Sequence, residues 1–91
     1  MSYKLILSDQ ANKEIKELKK SEPISFKKLN KLLLELIENP YVGSGNPELL
    51  KHNYAGYYSR RISQKHRLIY SINDEKITVT IVSAKGHYGA K

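Results

Sequence analysis

A small group of side chains outside the predicted helices could carry out acid–base or electrostatic chemistry. The group comprises a carboxylate, the histidines and a basic cluster: Glu48, Lys51, His52, Arg60, Arg61, His66, Arg67 and His87. A carboxylate can accept a proton, a histidine can donate one, and an arginine can stabilise charge on a phosphate. This set would suit cleavage of an RNA strand, because each RNA phosphate has its own nucleophile in the adjacent 2′-hydroxyl. Tyrosines could hold a splayed base by stacking.

Other chemistries are excluded by what the sequence lacks. There is no cysteine, which removes disulfides, thiolate metal sites and a cysteine nucleophile. His52, His66 and His87 have no paired spacing of the kind that binds zinc. The Gly43–Pro47 segment fits neither phosphate-loop pattern, and no serine lies in a nucleophile elbow. We therefore expect neither a metal nor a cofactor.

Charge points to an acidic partner. The chain has 16 Lys and Arg against 9 Asp and Glu, a net charge of +7. All the arginines lie within residues 60–67, whereas the first half carries only scattered lysines. Because the arginine fork suits phosphate oxygens, the second half is predicted to be the working surface.

Size and hydropathy predict one domain over residues 1–91, with no membrane partner. Domains seldom divide below about 100 residues. The longest apolar run, Leu32–Leu34, is far shorter than the roughly 20 residues of a spanning helix. Residues 1–7 are too short for a signal segment. We expect a cytoplasmic protein.

The first half predicts a strand and two helices. Residues 2–8 alternate as a strand does, and Ser8 or Asp9 can cap a following helix. Pro23 suits the first turn of a second helix, which Asn39-Pro40 ends. The apolar positions at helical spacing are Ala11, Ile15 and Leu18, then Leu29, Leu32, Leu33, Leu36 and Ile37.

The second half predicts a loop over residues 40–53 and strands over 54–62, 66–73 and 76–83. The order β-α-α-β-β-β predicts an α+β fold, with two helices on one face of a mostly antiparallel sheet. Arg67 would then point to the uncovered face. The inward positions would be Leu68, Tyr70, Ile72, Ile77, Val79 and Ile81.

Three motifs in the second half make the chain similar to a known family. Residues 45–62 read G-N-P-E-L-L-K-H-N-Y-A-G-Y-Y-S-R-R-I, and H-R-L-I-Y at 66–70 and H-Y at 87–88 follow. The chain resembles the YoeB/Txe branch of the RelE-type toxins of bacterial toxin–antitoxin systems. The predicted order of elements is also that of the family, so the resemblance covers nearly the whole chain.

The resemblance implies a fold like that of microbial ribonucleases and cleavage of mRNA in the ribosomal A site, which stops translation. By position, Glu48 matches the family's general base and His87 its general acid. Arg67 matches the arginine that stabilises the scissile phosphate, and Tyr88 the aromatic that orients the substrate. The reaction it implies is metal-independent.

Further RNA contacts and partners are also implied. Lys51 and Arg61 match basic residues that support the phosphate and the RNA backbone, and His52 beside them is a further candidate. The expected partners are ribosomal RNA, mRNA and a YefM- or Axe-type antitoxin that alone would contact operator DNA. A homodimer is one assembly that the resemblance allows. Two departures are the Gly89-Ala90-Lys91 extension and the absence of tryptophan.

Two alternatives stay open at this stage. The same basic strands would suit a non-catalytic RNA- or ribosome-binding protein. A weakened toxin homologue could instead act mainly through antitoxin binding. Arg60 and Arg61 point to opposite faces of a strand, so at most one belongs in a site, and the motif favours Arg61. His66 is predicted to have a structural, hydrogen-bonding role.

Overall fold

The chain forms two helices against one five-stranded sheet, as described by a computed structural model over residues 2–86. The elements are β1 (Lys4–Leu7), α1 (Asp9–Ser21), α2 (Pro23–Glu38), β2 (Glu48–Leu49), a 3₁₀ turn (His52–Tyr54), β3 (Tyr58–Arg61), β4 (Arg67–Asn73) and β5 (Thr78–Ser83). The sheet order is β1-β5-β4-β3-β2, with β1 parallel to β5 and the other pairs antiparallel. The predicted α+β class is confirmed.

The structure corrects the predicted strands in three places. The loop over residues 40–53 contains a further strand, β2, which is too short to show an alternating pattern. β3 begins at Tyr58 rather than at residue 54, because the chain turns through Gly56, whose φ is 92°. β5 begins at Thr78 because Ile77 has a φ of 53°, so Ile77 lies half-buried in the turn instead of on an inward strand position.

The ends of the helices follow the predicted signals. Ser8 caps α1, because its Oγ accepts a hydrogen bond from the Ala11 amide at 3.0 Å. The same hydroxyl donates to the Val82 carbonyl at 2.8 Å, which joins the start of α1 to β5. Pro23 lies in the first turn of α2, and the helix ends before Pro40. Among residues 2–86, neither helix combines the length and the apolar character that a membrane span requires.

The core lies between the helices and one face of the sheet. Helix residues Leu18, Leu29, Leu32 and Leu36 are fully buried there. The strands contribute Leu68, Tyr70, Val79 and Ile81, with Ile72 partly buried against them. Even-numbered residues of β4 therefore face the helices, so odd-numbered residues such as Arg67 face away, as predicted.

A buried arginine fixes the long loop that follows α2. Arg60 has no exposed surface, and its Nη1 lies 3.0 Å from Glu35 Oε1. It also donates from Nε to the Tyr70 hydroxyl at 3.0 Å and from Nη2 to the Val42 carbonyl at 2.9 Å. Burial opposes ionisation of Glu35, but hydrogen bonds from Ser44 and the Arg60 charge outweigh it and lower its pKa.

Candidate functional site

Three of the predicted site residues lie on the sheet face that the helices leave uncovered. In the register, Glu48 of β2 is opposite Ser59, and Ser59 is opposite Ile69 of β4. Arg61 is directly opposite Arg67, two residues further along the same strands. Because opposed residues and alternate residues share a face, Glu48, Arg61 and Arg67 all point to the side away from Leu68 and Tyr70.

The spacing of these residues suits one phosphate between them. Standard strand spacing places the Glu48 and Arg67 Cα atoms roughly 12 Å apart and the Glu48 and Arg61 Cα atoms roughly 8 Å apart. Glu48 and Arg61 are exposed and Arg67 is half-buried. Ser59 and Ile69, which lie between them on this face, are themselves buried. The three side chains are long enough to reach one ligand above these residues, with the carboxylate at the sheet edge and the guanidinium groups toward its centre.

Glu48 is held at the edge by backbone contacts on both sides of β2. The Leu50 amide donates to the Tyr57 carbonyl at 2.9 Å, and the Arg61 amide donates to the Gly45 carbonyl at 2.6 Å. Gly45 has a φ of 83°, and a Cβ there would lie 2.9 Å from the Arg61 carbonyl oxygen. A side chain at position 45 would therefore push the loop away from β3.

Lys51 and His52 lie on the loop directly after β2. Both are exposed, and together with Glu48 they line a shallow cavity of about 260 Å³. His52 has a φ of 58°, which turns the chain into the short 3₁₀ helix. This arrangement places a lysine and an imidazole beside the carboxylate, where either can contact a bound phosphate or sugar.

The start of β4 is hydrogen-bonded to Gly86, the last residue that the structure describes. The Arg67 amide donates to the Gly86 carbonyl at 2.8 Å, and Gly86 immediately precedes His87 in the sequence. His87 and Tyr88, the predicted general acid and substrate-orienting aromatic, lie outside the described residues. Within residues 2–86, no three His, Asp or Glu side chains gather as a ligand set for a metal.

Comparison with known proteins identifies the family of the chain. A family model described as the YoeB-like toxin of bacterial type II toxin–antitoxin systems matches residues 7–88. The chain belongs to this family. Toxin YoeB of Escherichia coli strain K12 is 35% identical over 85 residues, which cover 93% of this chain and 99% of that protein.

Two solved structures show the same fold as this YoeB-like toxin. The YoeB dimer from Staphylococcus aureus is 38% identical and has a TM-score of 0.83, covering 97% of this chain and 100% of that chain. The heterotetrameric YoeB–YefM toxin–antitoxin complex from the same organism has a TM-score of 0.81, at the same identity and coverage. The resemblance predicted from the motifs is therefore confirmed, as is the assignment to a toxin of a type II system.

One residue of this YoeB-like toxin has a fuller role than the sequence indicated. His66 is buried, and its ring contacts Glu22 on one side and the Gly86 amide on the other. The hydrogen bond with His66 is the main cause of a lowered pKa for Glu22. The H-R-L-I-Y motif marked the position of His66, but nothing in the sequence linked it to Glu22, which lies between the two helices and 44 positions away.

Proposed function

We propose that this YoeB-like toxin is a ribosome-dependent endoribonuclease that cleaves mRNA in the A site by general acid–base catalysis. The observation that carries the proposal is the sheet face that Glu48, Arg61 and Arg67 share, on the side away from the helices. A base and two fixed cations on one face match the requirements of phosphodiester cleavage through the neighbouring 2′-hydroxyl. The roles follow those that the family resemblance implies.

The proposed reaction begins at the sheet edge. The Glu48 carboxylate removes the 2′-hydroxyl proton, and the 2′-oxygen bonds to the adjacent phosphorus. Arg67 stabilises the negative charge of the phosphorane, and Lys51 and Arg61 hold the flanking backbone. These cations lie on or beside the face that bears Glu48.

The reaction ends when the bond from phosphorus to the 5′-oxygen breaks. Protonated His87 donates its proton to that oxygen, and Tyr88 orients the substrate. The products are a 2′,3′-cyclic phosphate and a 5′-hydroxyl. No metal is required in this scheme, because the nucleophile belongs to the substrate and the charge is balanced by side chains.

The ribosome is proposed as the presenter of the substrate because the site is shallow. The cavity beside Glu48 is about 260 Å³, smaller than the roughly 300–1,000 Å³ typical of small-molecule pockets. A face of this kind can act on a strand held in place by another surface. His52 is proposed as a contact to that strand.

The proposed partners follow the assemblies of the relatives. Because S. aureus YoeB occurs in a complex with YefM and as a dimer, we propose a YefM-type antitoxin and a homodimer for this chain. Contact with operator DNA would occur through the antitoxin, and the site of action would be the cytoplasm, where the ribosomes are.

The test replaces the proposed base and acid separately and maps mRNA ends on programmed ribosomes. Glu48→Gln and His87→Ala should each lower single-turnover cleavage by about 10²–10⁴-fold, the usual contribution of a positioned acid or base. Glu75→Gln is the matched control and should cleave normally. Glu75 is exposed in the turn between β4 and β5, at the end of β4 opposite Arg67. If either site variant cleaves mRNA at the wild-type rate, the role proposed for that residue is refuted. If the wild-type protein binds ribosomes in a salt-sensitive way without cutting any mRNA, the result favours a non-catalytic RNA-binding protein.

A further inference from the structure

We propose that His66 is a positioning residue that fixes Gly86 and thereby sets where the chain toward His87 begins. The inference rests on the proposed function, since it concerns how the general acid is delivered to the phosphate. Three observations carry it: the burial of the imidazole, its two hydrogen bonds, and a second bond that holds the same glycine from the Arg67 backbone.

Both nitrogens of the His66 ring are used. The residue is only 3% exposed, its Nε2 lies 2.9 Å from Glu22 Oε2, and its Nδ1 lies 2.9 Å from the Gly86 amide nitrogen. The ring therefore links α2's N-cap residue to the C-terminal segment. A buried imidazole with two such partners is rigidly oriented.

The positions of the ring protons follow from the partners. Because the Gly86 amide can only donate, Nδ1 must carry a lone pair and accept. Nε2 then carries the hydrogen and donates to Glu22, whose pKa is lowered chiefly by this hydrogen bond. The Glu22 carboxylate thus selects the tautomer that can hold Gly86.

Gly86 is held on both of its polar groups by consecutive residues. Its amide donates to the His66 ring, and its carbonyl accepts from the Arg67 amide at 2.8 Å. Gly86 has a φ of 78°, a conformation that favours glycine. One dipeptide therefore positions both the phosphate-binding arginine and the backbone that leads to His87.

The turn before β4 makes this dipeptide a firm support. The His66 carbonyl accepts from the Ile62 and Ser63 amides at 3.0 and 3.2 Å, and the His66 amide donates to Ser63 Oγ at 3.1 Å. With its backbone fixed at these points, His66 can impose its geometry on Gly86. A misplacement of about 1 Å at a reacting group can lower a rate about 10²-fold, so loss of this anchor should be visible in catalysis.

The test uses two amide side chains that each imitate one ring nitrogen. His66→Asn places an oxygen near the Nδ1 position and keeps an acceptor for Gly86, whereas His66→Gln places a nitrogen near Nε2 and keeps only the donor to Glu22. We expect His66→Gln to lower single-turnover cleavage about 10²-fold relative to His66→Asn. Ribosome binding should be alike in the two variants.

Amide hydrogen exchange provides a readout that needs no nuclease activity. Exchange of the Gly86 amide should be at least about tenfold faster in His66→Gln than in His66→Asn, because only the former leaves that amide without its acceptor. Equal cleavage or equal exchange in the two variants would overturn the proposal. A purely structural role for His66 would instead lower cleavage only in proportion to the loss of stability.

A glycine pair keeps the test decisive if the histidine variants fold poorly. Gly86→Ala and Gly56→Ala carry similar positive-φ strain, and among residues 2–86 no atom beyond the chain neighbours lies within 4 Å of either added methyl. We expect Gly86→Ala to lower cleavage at least about tenfold more than Gly56→Ala, and equal effects would contradict the anchor. If Glu48→Gln and His87→Ala cleave normally, the proposed function fails, while the exchange of the Gly86 amide still decides the role of His66.

Discussion

Two neighbouring arginines of β3 have opposite surroundings. Arg60 is fully buried and bound to Glu35, Tyr70 and loop carbonyls, whereas Arg61 is exposed on the face of Glu48. Alternation along the strand separates them completely, so one charge stabilises the fold and the other is available to a ligand. The adjacent positions therefore make a matched pair for experiment.

Replacing each arginine with methionine should separate stability from activity. Arg60→Met should lower the free energy of unfolding by about 3 kcal/mol, because it removes the cation bound to Glu35 and a donor to the loop carbonyls. Glu35 then keeps its hydrogen bonds from Ser44. Arg61→Met should change stability by less than about 0.5 kcal/mol but reduce cleavage. Urea unfolding of both variants checks this, and a similar loss of stability in the two would contradict the contrast.

A carboxylate in the β4–β5 turn is held by two tyrosines. Asp74 accepts from the Tyr41 hydroxyl at 2.5 Å and from the Tyr3 hydroxyl at 2.7 Å, which ties the loop after α2 and the residue before β1 to this turn. The hydrogen bonds lower the pKa of Asp74 and raise the pKa of Tyr41 to about 12.

The pH dependence of stability follows from the signs of these shifts. Because the Tyr41 pKa is raised, its hydrogen bond to Asp74 contributes fully to the free energy of unfolding below about pH 10. This contribution is lost as the pH rises through 12. Because the Asp74 pKa is lowered, the ionised carboxylate contributes fully to the free energy of unfolding above about pH 4. This contribution is lost as the pH falls through the pKa of Asp74 in the folded protein. Asp74→Asn should therefore lower the free energy of unfolding most near neutral pH. The difference in this free energy between variant and wild type should become smaller toward acidic and toward alkaline pH.

A titration followed by tyrosinate absorbance measures the same contact directly. Asp74→Asn should move the pKa of Tyr41 from about 12 toward its ordinary value near 10 and should also lower the raised pKa of Tyr3. The neighbouring Glu75→Gln should leave the curve unchanged. An identical titration for wild type and Asp74→Asn would show that the hydrogen bond does not govern Tyr41.

At the scale of elements, the junction between the long loop and β3 positions β2. The Gly45 carbonyl accepts from the Arg61 amide, and an added Cβ at Gly45 would lie 2.9 Å from the Arg61 carbonyl oxygen. Gly45→Ala should therefore cost more stability than Gly56→Ala. In the described part of the chain no atom beyond the chain neighbours lies within 4 Å of a Cβ at Gly56, so only the positive-φ cost of about 1–2 kcal/mol applies there. Thermal unfolding of the two variants compares them, and cleavage should also fall in Gly45→Ala because Glu48 follows the displaced loop.

The elements that could be predicted from the sequence are those with their own periodic pattern. The helices have apolar residues at regular spacing and local stop signals, so their faces and ends were predictable. β2 has two residues and exists only through its pairing with β3, and the tyrosine-rich segment before β3 has the composition of a strand but turns at Gly56. Pairing between segments that are distant in the sequence determines where β2 and β3 begin, and this pairing has no local sequence signature.

The candidate site was predictable in part for the same reason. Strand alternation was enough to place Arg67 on the uncovered face, and the motifs identified Glu48 and Arg61. Their common face, however, depends on the register between β2, β3 and β4, which no single segment specifies. The His66–Glu22 contact depends on the packing of a helix end against a strand turn, so only the structure reveals it.

At the scale of the whole molecule, two separate surfaces carry groups of cations that could bind RNA. The outer side of α1 has an open depression lined by Lys13, Lys16 and Lys20 together with acidic residues, while the other surface carries Lys51, Arg61 and Arg67. The net charge of +7 favours the binding of RNA at either surface. The α1 depression holds only lysines among its cations, whereas the other surface has two arginines, whose planar fork suits phosphate oxygens, so the face of Glu48 should dominate specific binding.

Salt dependence distinguishes the two surfaces. The measurement uses a Glu48→Gln background, which in the proposed mechanism keeps the mRNA intact. Lys51→Gln with Arg61→Gln should then reduce the slope of log affinity against log salt by about 1.4, because each single-strand phosphate that is no longer neutralised lowers the slope by about 0.7. The triple variant Lys13→Gln, Lys16→Gln and Lys20→Gln should leave the slope nearly unchanged, because a diffuse charge near its own carboxylates releases few counterions. Binding to programmed ribosomes between about 50 and 200 mM salt provides the measurement. A larger change for the α1 variant would place α1, rather than the face of Glu48, against the ribosomal RNA.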